Sequence, residues 1–234
     1  MGSGAIRIRG QVDFEGVPEP LRFDNVHSGD YNVPLQTALS TAMPLGYALQ
    51  NSVDDLRVRK VSIELDSFTV KKQASIENAW LSRREARPGE RVDLMVEVAG
   101  DAGSRTKHKV TYEIPIGSPT GTLFFTVGDA PTINAAEQRY FGLGQPRPAT
   151  ELIAFLNSLH TNTRGYVRVW RNDPAFQIDG RDLPDPPPSV SMILTRTQTG
   201  TSTTPRTSTI AEMTFAAGDL ALTGSKTLQL EVKE

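Results

Sequence analysis

Strict alternation of apolar and polar residues constrains this chain more than any other feature. A segment with period two buries one face as a strand, and as a helix it has no continuous apolar stripe. Val92, Leu94, Val96 and Val98 give the clearest case. Comparable runs are Val61, Ile63, Leu65; Val110, Tyr112, Ile114, Ile116; Leu123, Phe125, Val127; Val190, Met192, Leu194; and Leu228, Leu230, Val232. Between Leu56, Val58 and the run from Val61 the phase slips by one residue, which predicts a β-bulge. Turn-forming strings separate the runs: Arg87-Pro88-Gly89, Gly100-Asp101-Ala102-Gly103, Gly117-Ser118-Pro119-Thr120-Gly121 and Ala217-Gly218-Asp219.

The expected fold is mainly β (α+β minor), an immunoglobulin-like β-sandwich lobe plus a second mixed β-rich lobe with one or two short helices. Residues 76–129 hold enough strands to close the sandwich, residues 1–75 with 165–234 form the mixed lobe from both chain ends, and residues 130–164 form a helical connector. On this plan residues 6–12 and 228–232 share one lobe and one sheet. The shared core is expected to hold Val92, Leu94, Val96, Ile114, Phe125, Leu152, Leu156, Val169 and Leu230. Leu35, Leu39, Met43, Tyr47 and Leu49 make a helical stripe across residues 34–51, with Pro34 at the start and Pro44 as a kink or break. Leu152, Phe155, Leu156 and Leu159 share one face of a second helix over 148–160, capped at Thr150. The prolines of 182–188 exclude helix and make an extended connector, and the polar stretch 195–209 is a long hairpin loop or flap.

Composition narrows the classes of function. A formal net charge of −2 gives no broad attraction to phosphate or to an anionic membrane, so nucleic acid is not the expected partner. The absence of cysteine removes disulfides, thiolate metal sites and cysteine nucleophiles together. No apolar run is long enough to cross a bilayer, and the first residues contain no apolar signal core, so no membrane insertion is expected.

The side chains that could carry chemistry are sparse. Of the three histidines, His27 lies beside Ser28 and Asp30, His108 sits between Lys107 and Lys109 on a solvated strand edge, and His160 follows the second helix as a C-terminal cap. No Gly-x-Ser-x-Gly, His-Glu-x-x-His or phosphate-loop string is present. Phe141-Gly142-Leu143-Gly144-Gln145 leads into prolines rather than a helix and is expected to be an irregular connector. Asp179, Asp182 and Asp185 form the best acidic cluster, but their spacing is not that of a calcium loop and Arg181 competes for them. Asp54 and Asp55 read as a strand entry or a helix exit. Arg83, Arg84, Arg87 and Arg91 gather near Trp80, with Glu77, Glu85 and Glu90 to neutralise them. Trp80 and Trp170 are expected in the core. No catalytic, cofactor-binding or metal-binding residue is assigned.

Particular strings resemble a family. Arg87-Pro88-Gly89-Glu90-Arg91-Val92, Ile114-Pro115-Ile116 with Gly121-Thr122-Leu123, and Val127-Gly128-Asp129 are similar to the region downstream of the peptidase domain in bacterial proteins of the stage IV sporulation protein B peptidase type. Glu151-Leu152-Ile153 with Leu156-Asn157, Tyr166-Val167-Arg168-Val169, and Leu183-Pro184 leading to Pro187-Pro188-Ser189-Val190 extend the similarity over residues 80–194. Members of that family carry their catalytic serine in a Gly-Met-Ser-Gly-Ser-Pro motif, which this chain lacks, so no catalytic residue carries over.

The resemblance implies a non-catalytic accessory region of a bacterial exported or envelope protein, extracytoplasmic, without cofactor. Its partner would be another protein or an adjacent domain of the same polypeptide. Two alternatives stand beside it: a carbohydrate-binding module using exposed Trp80 or Trp170, and a hydrolase using His27 or His160 with Asp30 or Asp179.

Overall fold

Most alternating runs in the described chain become strands, although Ile114 and Ile116 lie beyond the end of theirs. The computed structural model describes residues 3–100, 103–141, 146–178, 181–183 and 206–234. The chain opens with β1 (Gly4–Phe14), β2 (Leu21–Gly29), helix α1 (Val33–Asn51) and β3 (Val58–Phe68). Five strands follow: β4 (Gln73–Leu81), β5 (Glu85–Ala86), β6 (Arg91–Gly100), β7 (Arg105–Glu113) and β8 (Gly121–Gly128). Helices α2 (Ala130–Phe141) and α3 (Ala149–Ser158) lead to β9 (Arg164–Ile178), β10 (Arg181–Leu183), β11 (Arg206–Ala216), β12 (Ala221–Thr223) and β13 (Ser225–Val232). The fold is β-rich with minor helices, as the alternation requires.

Two sheets face each other across the larger core. One runs β12-β4-β6-β7, and the other runs β10-β9-β8-β13-β5 with β11 also paired to β9. Val92, Leu94 and Val96 of β6, Phe125 of β8, Val169 of β9 and Leu230 of β13 meet there. Tyr112 presents its ring edge to Phe125, centroids 5.6 Å apart.

This arrangement corrects the expected supply of strands. The middle of the chain does not close its sandwich alone: β13 pairs antiparallel with β8, placing Leu228 opposite Phe125 and Leu230 opposite Leu123. The ends therefore do not share a sheet: among the described residues β1 pairs with β2 and β3, and β13 with β8 and β5. Burial of the β8 edge on both sides, by β9 and β13, outweighs any pairing of β13 with the N-terminal strands. The expected strand through Val190, Met192 and Leu194, the connector 182–188 from Pro184 onward, and the loop 195–209 up to Pro205 lie outside the described residues.

β2, β1 and β3 form a separate three-stranded sheet. Val12, Phe14, Leu21 and Phe23 pack there against Ala48 of α1 and Ile153 of α3, with Leu56 and Leu156 at the margin. Leu156 thus serves this smaller core rather than a shared one. The bulge lies where the phase slip places it: Asp13 opposes Lys60 and Phe14 opposes Val58, so Arg59 has no register partner. Gly10 faces Ile63, and a Cβ there would fall 2.3 Å from the Ser62 carbonyl oxygen, so the close approach of β1 and β3 requires glycine.

The helices depart from expectation in three ways. α1 runs through Pro44 without a break, although that residue has no N–H to give the preceding turn. Its stripe of Leu35, Leu39 and Met43 points to solvent, while Val33, Thr37 and Ala48 are the buried residues. α2 is a third helix, started by Asp129, whose Oδ1 accepts the Thr132 amide at 2.8 Å and whose Oδ2 accepts the Gly224 amide at 2.7 Å.

Asn162 joins the two parts. Its side-chain amide accepts from Val26 N at 2.9 Å and donates to Val26 O at 2.6 Å, while its own carbonyl accepts from Leu222 N of β12. Arg7 of β1 adds ion pairs to Asp24 and to Asp219 beside β12.

Gly165 and Phe215 oppose each other across β9 and β11, and a Cβ on Gly165 would fall 2.0 Å from the Phe215 ring. Gly165→Ala is expected to push that ring out of the core and destabilise the protein by about 1–3 kcal/mol. Chemical denaturation measures it, and an unchanged midpoint would contradict the packing described.

Candidate functional site

Polar side chains collect in a cleft of about 710 Å3 between β2, α1, α2 and the segment after α3. His27 of β2 and Ser40 of α1 meet there, with Ser40 Oγ 2.7 Å from His27 Nε2. Ser40 also donates to the Thr37 carbonyl at 2.9 Å, the ordinary back-bond of a helical serine. Burial pushes the His27 imidazole below its ordinary value, which favours the neutral ring. Asp30, the carboxylate expected beside His27, pairs instead with Lys71 at 2.8 Å.

His160 lines the same cleft and is held at both ring nitrogens. Nδ1 lies 2.9 Å from Asn134 Oδ1, Nε2 lies 2.5 Å from Glu212 Oε1, and the ring meets Tyr166 edge-on. Glu212 also accepts from Arg168, which is 8% exposed and pairs with Glu137 as well. Two carboxylates offset the desolvation of that guanidinium, and the network clamps α2 to β9 and β11. His160 therefore holds these elements together instead of capping α3, as its position after the helix suggested. The other proposed partner, Asp179, lies outside the described residues, as do Asp185, the side chain of Asp182 and residues 142–145. Among the described residues no cluster of three or more metal-binding side chains occurs.

The remaining candidates take structural places. Asp54, read as a strand entry or a helix exit, accepts the Ala149 amide at 2.8 Å and so starts α3. Arg83 pairs with Glu90 and Arg91 with Glu113, while Glu77 and Glu85 serve Arg105 and Lys233. The Arg87 amide donates to Glu90, which with Arg83 holds that carboxyl below its usual range. His108 stands on β7 at the sheet edge, its ring 5.0 Å from Phe215 rather than free in solvent.

Neither tryptophan is in the core, which corrects the expectation. Trp80 is 36% exposed with Lys107 over its ring, and Trp170 stacks on Phe124 at 4.3 Å and donates its indole N–H to Thr126. Trp80 lies on an outer face because β4 buries the neighbouring Ala79, whereas Trp170 shares its face of β9 with the buried Tyr166 and Arg168.

The surface that no sequence motif announces is apolar. α1 has no charged residue in its 19 positions, and its outer side carries Leu35, Leu39 and Met43, the last 69% exposed. Four of its polar side chains turn back on the helix: Thr37 donates to Val33 O, Ser40 and Thr41 to Thr37 O, and Asn51 to Tyr47 O. Beside it runs a groove floored by Ile6, Ile8, Val61, Ile63 and Leu65 and walled by Ala38, Ala42 and Leu45 of α1. Val61, Ile63 and Leu65 are about half exposed, and β3 has β1 as its sole strand neighbour among the described residues.

Compared with protein-family models, curated proteins and solved structures, the chain has no significant match to any of them. No helix of the described residues is long and apolar enough to cross a membrane.

The low basicity of His27 carries a sign. As pH falls below the ordinary value of 6.5, the unfolded chain protonates at this residue before the folded one does, so stability is lost until the folded pKa is passed. The urea midpoint is expected to fall between pH 7 and pH 5, and to fall less in His27→Gln. Identical pH dependence in the two proteins would show that the ring is not held neutral.

Proposed function

We propose that this protein is a non-catalytic structural or protein-binding accessory module of a bacterial exported or envelope protein, docking through the apolar surface of α1 and β3. One observation carries the reading: an uncharged helix whose outer stripe is exposed lies beside an apolar groove and an open strand edge. Leaving such a surface in water costs about 25 cal/mol for each Å2 of apolar area that a partner would cover. The partner is a protein or a neighbouring domain of the same polypeptide, not nucleic acid. The facing sheets are read as immunoglobulin-like, and the extracytoplasmic setting rests on the resemblance to the region downstream of stage IV sporulation protein B type peptidases.

The non-catalytic reading is supported by how the candidate groups are engaged. Both nitrogens of His160 are held by Asn134 and Glu212, and the Ser40 hydroxyl is shared with a helix carbonyl. The tryptophans favour sugar binding less, since Lys107 and Phe124 take up ring faces that a sugar would need.

Hydroxyl-radical labelling tests the docking surface. In a fraction of the producing cell that holds the protein in its assembled state, Met43, Leu39 and Leu35 are expected to be labelled several-fold more slowly than in the purified chain at high dilution. Equal labelling in the two states would overturn the proposal.

A further inference from the structure

We propose that the open edge of β3 pairs antiparallel with β3 of a second copy across a two-fold axis, Ile63 facing Ile63. This rests on the reading of the α1 and β3 surface as a docking face and names the partner of its strand edge. Beyond the bulge at Arg59, β3 has two faces. Val61, Ile63 and Leu65 point to the groove, and Lys60, Ser62, Glu64 and Asp66 occupy the other side. The charge on that polar side is ordered, with Lys60 near the start and Glu64 and Asp66 toward the end. Arg9 of β1 pairs with Glu64 and Asp66, whereas Lys60 has no ion pair among the described residues.

A strand that is positive at one end and negative at the other is complementary to itself only when reversed. With Ile63 on the axis, Lys60 faces Asp66 of the second copy, Ser62 faces Glu64, and Val61 faces Leu65, each contact occurring twice. Opposite charges and apolar pairs directly across strands stabilise a sheet, and like charges destabilise it. A parallel, in-register copy sets Lys60 against Lys60. A slip of one residue sets the apolar set against the charged set. A slip of two sets Glu64 against itself in one direction, and in the other sets Leu65 against the bulged Arg59. The other edge of the sheet offers no such site, because the backbone of β2 is bonded by the side-chain amides of Asn157 and Asn162. The product is a six-stranded sheet, β2-β1-β3 continued by its copy, with both grooves opening on one face.

The test uses analytical ultracentrifugation of the full chain. Wild type is expected to be a concentration-dependent dimer. Lys60→Glu and Asp66→Lys should each raise the dissociation constant by roughly tenfold or more, since each places like charges across the axis twice. An equimolar mixture of the two variants should recover the dimer, because every facing pair is then opposite in sign. Since Asp66→Lys also removes a partner of Arg9, a second probe guards against misfolding. The chain has no cysteine, so Ile63→Cys should form an interchain disulfide on mild oxidation, while Val61→Cys, which faces Leu65, should not. A monomer at all concentrations overturns the pairing, and the docking reading survives if Met43 is still protected in the assembled state. A dimer indifferent to the charge variants, or cross-linked equally at both positions, places the contact elsewhere and also overturns it.

Discussion

A strand edge shielded from water must be closed by something, because each backbone N–H and C=O left without a partner there costs about as much as a lost hydrogen bond. The three-stranded sheet closes one edge from within. Asn157 of α3 donates to Pro20 O and accepts from Arg22 N, and Asn162 makes the same two-point contact with Val26, so two side-chain amides stand where a fourth strand would run. Those contacts tie α3 and the segment after it to β2, and the Asn162 carbonyl links that segment to Leu222 of β12. They also decide which surface remains, since with β2 closed the edge of β3 is the open one.

The same economy accounts for how the polar groups around the cleft are engaged. Arg168 is buried among α2, β9 and β11, and removing either carboxylate would leave part of its charge uncompensated. Glu212 serves that need and holds His160 at once. Burial disfavours the charged form of His27, which faces a serine whose hydroxyl also bonds its own helix. These groups hold elements together across the cleft, whereas Leu35, Leu39 and Met43 of α1 stay exposed among the described residues.

Period two was enough to read β3, β6, β7, β8 and β13 as strands, and the slip before Val61 was enough to place the bulge. It was not enough to pair them. Leu228 and Leu230 announce a buried face, but nothing local says that the face lies against Phe125 and Leu123 rather than against Ile6 and Ile8, and the chain end returns to β8, not to β1. α2 was missed because Asp129-Ala130-Pro131, a sound helix start, follows a strand without a break. In α1 the helical period of Leu35, Leu39 and Met43 was legible, while the side that is buried, through Val33, Thr37 and Ala48, is set by where β2 and α3 stand. The mock strand of Asn157 and Asn162 left no signal, because an asparagine that mimics a backbone looks like any other asparagine.

The open β3 edge beside an apolar face is the centre of this account, and amide hydrogen exchange at varied protein concentration measures it directly. Half of the β3 amides bond to β1 and half point outward. The account predicts that the outward amides of Val61 to Asp66 exchange quickly at high dilution and become protected as concentration rises, with those of β2 unchanged because Asn157 and Asn162 already hold that edge. Exchange of the β3 amides that stayed the same at every concentration, in the purified chain and in the assembled protein alike, would contradict it.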